Sequence, residues 1–361
     1  MSDVPPSSRR RLVVVVNPLR LDDAETTHRV VEDACRRHGW EEPSWVETTA
    51  EDPGEKQGKE AVAAGADVVC TLGGDGTVRA VASALLGTDV ALGLLPGGTG
   101  NLLARNLDPP VVALEAAIEA VLAGSDRTID VGILRSGPAY GPEPHQDTVG
   151  DDEYVFLVMA GAGLDGEIMA DTDEKVKEVA GWLAYLLAGA KKLSGRGFAL
   201  TLEWVPSGDA GPVSPDARRL PLPAEPSEPA GPADRATPAD RGHPAPPAGA
   251  ARLRRHARMV VIGNCGTLQG GIQLLPDALL DDGILDGVVL APRGAAGWLS
   301  VLADVVTRHR RGHRRLDRLR TTTLQVTMGR PVMAEVDGDP IGRHESLAIR
   351  VLPRSLVVRV A

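Results

Sequence analysis

The chain has 361 residues, 43% of them hydrophobic and 24% charged, which is long enough for two cores and polar enough for a water-facing surface. A formal net charge of −10 and only 3% aromatic residues exclude a nucleic-acid partner, which needs a basic footprint and stacking rings. Cys35, Cys70 and Cys265 lie far apart without metal-ligand spacing, and their odd number without a secretory leader suits reduced thiols, so a cytoplasmic location is expected.

Leu12–Val16 is a β-branched run stopped by Asn17-Pro18, the pattern of a fully buried strand. It is far short of the roughly 18 apolar residues that a membrane span requires, and no other segment reaches that length. A helix is expected over Ala24–His38, with Val30, Val31, Ala34 and Cys35 on its apolar face. A short strand over Ser44–Glu47, a helix over Lys56–Ala64 and a buried strand over Asp67–Leu72 follow. Gly73–Thr77 then turns the chain into a helix over Val78–Leu86, and a strand over Val90–Leu95 runs through Pro96–Asn101 into a helix from Leu102. Alternation of this kind through residues 1–126 predicts a parallel, doubly wound α/β sheet.

From residue 127 the texture changes. Thr128–Leu134, Tyr154–Met159, Ala199–Val205, Met259–Ile262, Leu285–Leu290, Thr323–Thr327, Val332–Val336 and Leu347–Val351 read as strands. Helices are expected over Asp173–Leu193 and Trp298–Arg310. Residues 127–350 are therefore expected to form a mainly antiparallel β-sandwich, with the tail after about 350 free to rejoin the first domain. Residues 206–250, dense in Pro, Ala, Gly and Asp without apolar periodicity, read as a disordered insertion.

Four segments carry chemistry. Gly73-Gly74-Asp75-Gly76-Thr77 lies between a buried strand and a helix, where glycines let backbone N–H groups approach an anion and the helix N-terminus favours negative charge. Asp75 is placed there to act through Mg²⁺, which prefers carboxylates beside phosphates. Pro96–Asn101 repeats the arrangement at the next strand end, with the Thr99 hydroxyl and Asn101 amide available to phosphate or ribose. Each alone also reads as an ordinary tight turn. Neither is a dinucleotide G-x-G-x-x-G nor a P-loop ending in Gly-Lys-Ser/Thr. Pro276–Asp286 carries four aspartates and a glycine, which suits either a cage for a hard cation or a solvated acidic hairpin. Asp337-Gly338-Asp339 places two acids on a turn after a strand, a pattern that a plain hairpin shares.

In order along the chain, Asn17-Pro18, Gly73–Thr77, Pro96–Asn101 with Leu103-Ala104-Arg105, and Gly161–Asp165 resemble the motifs of the bacterial diacylglycerol kinase and sphingosine kinase superfamily. Gly181–Leu186, Asn264 with Gly270-Gly271, Pro276–Asp286 and Asp337–Asp339 continue the resemblance. It implies a phosphofructokinase- and NAD kinase-like α/β domain followed by a β-sandwich, with ATP in the cleft between them. ATP is then expected to touch Asn17, Gly73, Gly74, Asp75, Gly76, Thr77, Val78 and Arg79, with Gly98, Thr99 and Asn101 opposite and Thr48 or Thr49 nearby. The resemblance further implies a general base from Asp337 or Asp339 and a substrate contact at Asp165. A structural cation is implied at the Asp282 carboxylate and the Leu279 and Ile284 carbonyls.

The activity implied is transfer of a phosphoryl group from ATP, with Mg²⁺, to the primary hydroxyl of diacylglycerol. Sphingosine or ceramide kinases, a NAD kinase-like enzyme and a silent nucleotide- or lipid-binding regulator stand as alternatives. Three positions depart from the family pattern: Leu19–Asp22 replaces a Gly-rich continuation, Ala80 replaces a glutamate, and Asp339 replaces a glutamate that is longer by one methylene. Access to lipid at a membrane surface is expected through two basic segments, Arg308–Arg320 and Arg252–Arg258, and homodimerisation is left open.

Overall fold

The computed structural model describes residues 9–21, 23–97, 100–107, 113–140, 149–163, 197–207, 250–268, 273–292, 297 and 316–361. The first half alternates strands and helices: Leu12–Val16 (β1), Ala24–His38 (α1), Ser44–Glu47 (β2), Glu55–Ala63 (α2), Val68–Gly73 (β3), Asp75–Leu85 (α3), Ala91–Pro96 (β4), Leu102–Asn106 (α4) and Leu114–Ala123 (α5). Local signals set the boundaries. The Asp23 side chain accepts a hydrogen bond from the Thr26 N–H at 3.0 Å, and Gly39 at φ 74° closes α1 in a left-handed conformation.

Strands β2, β1, β3 and β4 lie side by side and parallel, with Val14 flanked by Trp45 and Cys70. Both faces are covered, which explains the unbroken apolar run of β1. Val13 and Val15 pack into a core with Val78, Val81 and Leu85 of α3, while Leu12, Val14 and Val16 face a second core with Val31 of α1 and Ile118 of α5.

The second half is Ser125–Ser136 (β5), Glu153–Phe156 (β6), Met159–Ala162 (β7), Phe198–Pro206 (β8), Ala251–Ala257 (β9), Met259–Gly263 (β10), Leu285–Leu290 (β11), Leu316–Val336 (β12) and Asp339–Val360 (β13). Pairing within it is antiparallel, around a third core that includes Leu200, Leu202, Trp204, Val326 and Ile349. Strand β12 pairs with β7, β8, β11 and β13. The end of β13 crosses to the parallel sheet, where Val358 pairs with Leu92 of β4, so all thirteen strands form one hydrogen-bonded sheet. The architecture is thus a parallel α/β layer continued by an antiparallel β-sandwich-like half.

Three expectations change. Thr323–Thr327 and Val332–Val336 are one strand, because Pro331 falls inside a register shift between Thr327 and Val332 where the ladder needs no donor. Helix α3 begins at Asp75 rather than Val78, leaving only Gly74 between it and β3. The Arg252–Arg258 segment is strand β9 up to Ala257. Arg252 pairs there with Glu203 at 3.1 Å and Arg255 with Asp317 at 2.9 Å, so these two charges are met inside the protein. The expected helices over 173–193 and 298–310, and the expected insertion apart from residues 206, 207 and 250, lie outside the described residues. Among the described residues, no helix is long and apolar enough to cross a membrane.

Candidate active-site cleft

The carboxyl ends of β1, β3 and β4 bring Asn17, Gly73 and Pro96 to one edge of the parallel sheet. The two glycine turns touch: a side chain at Gly97 would stand 2.5 Å from the Gly73 amide nitrogen, and one at Gly100 would overlap the Asp75 carboxylate. Backbone contact requires glycine at position 97, and a side chain at position 100 would push the Asp75 carboxylate aside. Asp75 occupies the first turn of α3, where the helix dipole favours an anion. Its Oδ1 accepts the Leu102 N–H at 2.7 Å, which ties α3 to α4. Asn101, at φ 47°, makes the left-handed bend that presents this N–H. A small cavity opens here, lined by Asp75, Val78, Pro96 and Asn101 among others.

The β12–β13 turn closes the cleft from the other half. Asp339 lies against the start of α3: a side chain at Gly76 would come within 3.3 Å of its Oδ2. Arg79, one turn further along α3, bridges the halves. Its Nη2 donates to Asp339 Oδ2 at 2.6 Å and its Nη1 to the Val336 carbonyl at 2.6 Å. Asp75 is mostly removed from water, and this burial raises its pKa; the Leu102 hydrogen bond opposes the rise and the nearby Asp339 charge adds to it. Residues 73–79 and 337–339 thus share one cleft.

The two turn aspartates have different surroundings. Asp337 is buried, with Oδ2 accepting from Leu157 N–H at 2.9 Å and Oδ1 from Val158 and Met159 N–H at 2.9 and 3.0 Å. Burial pushes its pKa up to about 6, against the pull of those three amides and of Arg79. That is the position of an anchor for the β6–β7 link, whereas Asp339 keeps 55% of its side chain exposed at the cleft.

The remaining expected residues distribute as follows. Asn17 turns its Oδ1 back onto the Leu19 N–H, and Thr48 is buried beside it at the end of β2, its N–H on the Val16 carbonyl. The Thr49 hydroxyl accepts from Asp52 N–H at 3.1 Å and so shapes the entry to α2. Thr77 is buried against Gly73, and Val78 lines the cavity. Gly98, Thr99 and Asp165 lie outside the described residues.

Two residues near this cleft escaped the motif reading. Glu335, two positions before Asp337, is partly buried with no hydrogen-bond or ion-pair partner among the described residues. Burial raises its pKa, and the charges of Asp337 and Asp339 raise it further. The period-2 alternation of a strand was the available signal. Cys265 is buried with its Sγ toward the Leu157 carbonyl and its thiol pKa pushed up by burial, and nothing in its sequence surroundings pointed here.

The implied cations meet two different fits. At the cleft, Asp75 Oδ1 holds the Leu102 N–H, and a carboxylate at this strand end, beside the place a phosphate would take, suits Mg²⁺. At the second place the carboxylate is already engaged. Asp282 Oδ2 accepts from Arg320 Nη2 at 2.5 Å and Oδ1 from Ile284 N–H at 3.1 Å, while Leu279 is 55% exposed. At the expected cation cage of Leu279, Asp282 and Ile284, a guanidinium already faces the one side-chain ligand.

Glycine turns at parallel strand ends are thus faced across a cleft by acids from an antiparallel half, in an α/β plus β-sandwich architecture. Residues 11–134 match the diacylglycerol kinase catalytic domain, and residues 248–360 match the YegS C-terminal NAD kinase beta sandwich-like domain. The chain belongs to the family of YegS-like and diacylglycerol kinase-like lipid kinases. A relative named "Probable lipid kinase YegS-like" from Enterobacter sp. (strain 638) is 25% identical over 306 residues, which cover 84% of this chain and 81% of that protein. A diacylglycerol kinase of Mycobacterium tuberculosis (strain ATCC 25618 / H37Rv) is 34% identical over 134 residues, 37% of this chain and 39% of its own. The fold is similar to a crystal structure of a diacylglycerol kinase from Bacillus anthracis str. Sterne, at TM-score 0.61 and 16% identity over 98% of this chain and 97% of that one.

Proposed function

We propose that this lipid kinase phosphorylates the primary hydroxyl of diacylglycerol, with Asp339 as the general base and the Gly73–Arg79 turn as the grip on ATP. The observation that carries this reading is the Arg79 bridge, which brings the glycine turn and the Asp339 carboxylate to one cleft. Phosphoryl transfer asks a protein mainly for position and charge neutralisation. Backbone N–H groups of Gly74, Asp75 and Gly76 at the head of α3 face the triphosphate, and Asp75 holds Mg²⁺, which neutralises charge on the phosphates when bound. The lipid hydroxyl oxygen attacks the γ-phosphorus in line, the bond to the β,γ-bridging oxygen breaks, and ADP leaves. Asp339 takes the hydroxyl proton.

Arg79 has two parts in this reading. Before ATP arrives it neutralises Asp339 and holds the β12–β13 turn in place; with ATP bound, the same guanidinium lies within reach of the phosphates. Asp337 acts as a positioning residue, fixing the turn through the Leu157–Met159 amides. Diacylglycerol is favoured by the match of residues 11–134 to the diacylglycerol kinase catalytic domain. For approach to a membrane surface the two basic segments remain the candidates: Arg252, Arg255, Arg318 and Arg320 face carboxylates of this chain, and residues 308–315 lie outside the described residues.

The test is transfer of labelled phosphate from ATP to a panel of diacylglycerol, ceramide, sphingosine, phosphatidylinositol and NAD. Labelled phosphatidic acid as the dominant product is expected. A labelled sphingolipid or NADP would replace the substrate assignment, and ATP binding without any labelled product would overturn the catalytic one.

A further inference from the structure

The acid-rich segment that follows Leu275 carries the charge of a metal site, yet the opposing strands have met that charge. We infer that Arg320 is a built-in cation for this turn, so that the antiparallel half holds its shape without a divalent ion. Strand register puts Arg320 of β12 directly opposite Asp286 of β11. From there its guanidinium reaches Asp282 at 2.5 Å, and its Nε stands 3.6 Å from Asp286 Oδ1, an attraction between charges without a hydrogen bond.

The rest of the turn is treated in the same way. Arg127 of β5 donates twice to Asp281 Oδ2, at 3.1 and 2.9 Å, and Arg318 of β12 stands 3.8 Å from Asp277. Four carboxylates therefore face three guanidiniums. The bend itself, at Gly283 with φ 72°, is fixed from the core: Gly283 N–H donates to Asp130 Oδ2 at 2.6 Å, and Asp130 Oδ1 accepts from Arg354 N–H at 2.7 Å. A structural cation supplies two things to such a loop, charge neutralisation and a fixed backbone. Here three arginines offset most of the first, Asp286 Oδ2 staying buried without a hydrogen bond among the described residues, and Asp130 supplies the second. A divalent ion at Asp282 would have to displace Arg320 or stand beside it against like charge.

Thermal melting of the full chain tests this independently of the lipid-kinase reading, because the readout is unfolding and not transfer. Wild type and Asp75→Asn, the latter silencing the cleft, are melted in EDTA, in Mg²⁺ and in Ca²⁺. Asp75→Asn is expected to melt at one temperature in all three. Arg320→Gln is expected to melt several degrees lower in EDTA and to regain stability with the logarithm of Mg²⁺ or Ca²⁺ concentration, as binding to the folded state requires. Arg320→Lys, which restores the positive charge, is expected to recover part of the loss without ion dependence. A melting point that EDTA lowers in Asp75→Asn overturns the inference. So does an Arg320→Gln variant that melts like wild type in EDTA or ignores both ions. Should Arg320→Gln fail to fold, the EDTA arm on Asp75→Asn and the Arg320→Lys arm still decide it.

Discussion

Two acidic turns of the antiparallel half have opposite surroundings. In the 337–339 turn, one carboxylate is buried on three backbone amides while the other stands exposed at the cleft beside a single arginine from the parallel half. In the 277–286 turn, every aspartate has an arginine within 4.0 Å, and those arginines come from β5 and β12 of the same half. An acid-rich motif therefore does not declare its own role. The strand lying opposite decides whether its carboxylates stay exposed or are met by arginines.

The sharpest way to break this contrast is at the cleft. Asp75→Asn keeps an oxygen for the Leu102 N–H but loses the charge that would hold Mg²⁺, so kcat is expected to fall about 10³-fold with little change in melting temperature. Steady-state kinetics beside a melting curve check this, and a fall confined to stability would move Asp75 out of the chemistry.

Within the 337–339 turn the two aspartates should separate cleanly. Asp339→Asn is expected to lower kcat about 10²-fold while leaving ATP affinity and folding near wild type, as loss of a base does. Asp337→Asn turns an NH₂ group toward backbone N–H donors and is expected to cost about 3 kcal/mol of stability. Denaturant titration and kinetics on the pair give the two readouts. If Asp337→Asn unfolds no more easily than Asp339→Asn, the anchor role fails.

The smallest effect concerns pH at the other turn. Burial first, and then the charges of Asp282 and Asp277, push the Asp286 pKa up to about 6 from 3.8, with Arg320 opposing. A carboxyl group whose folded pKa is raised favours the folded state in its protonated form. Its contribution is full below about pH 4 and is lost as pH rises through about 6. The melting temperature of wild type minus that of Asp286→Asn is therefore expected to fall by a few degrees between pH 4.5 and 7.5 (values spanning that window). A flat difference would remove Asp286 from the pH response.

Much of the parallel half was legible. Leu12–Val16, Ala24–His38 and Ser44–Glu47 stand at the expected residues, because capping residues and apolar period are local signals. In the antiparallel half, existence was legible and extent was not. Nothing between Thr323 and Val336 advertised a single strand, since the register shift at Pro331 depends on what β13 places alongside. At the cleft, the residue types and their loops were readable from glycine spacing and strand–helix order. Division of labour between Asp337 and Asp339 was not, because three amides from residues 157–159 make the difference.

By itself the sequence determined which segments become strands and helices around the nucleotide edge, where the glycine turns fall and which acids are available. Those are properties of short stretches of chain, set by backbone freedom and side-chain period. Only the tertiary structure decided that Arg79 would meet Asp339, 260 positions away, and that Arg320 would stand where a cation was expected. A charge acts on whatever lies within a few ångströms, and which residues those are follows from strand order and register.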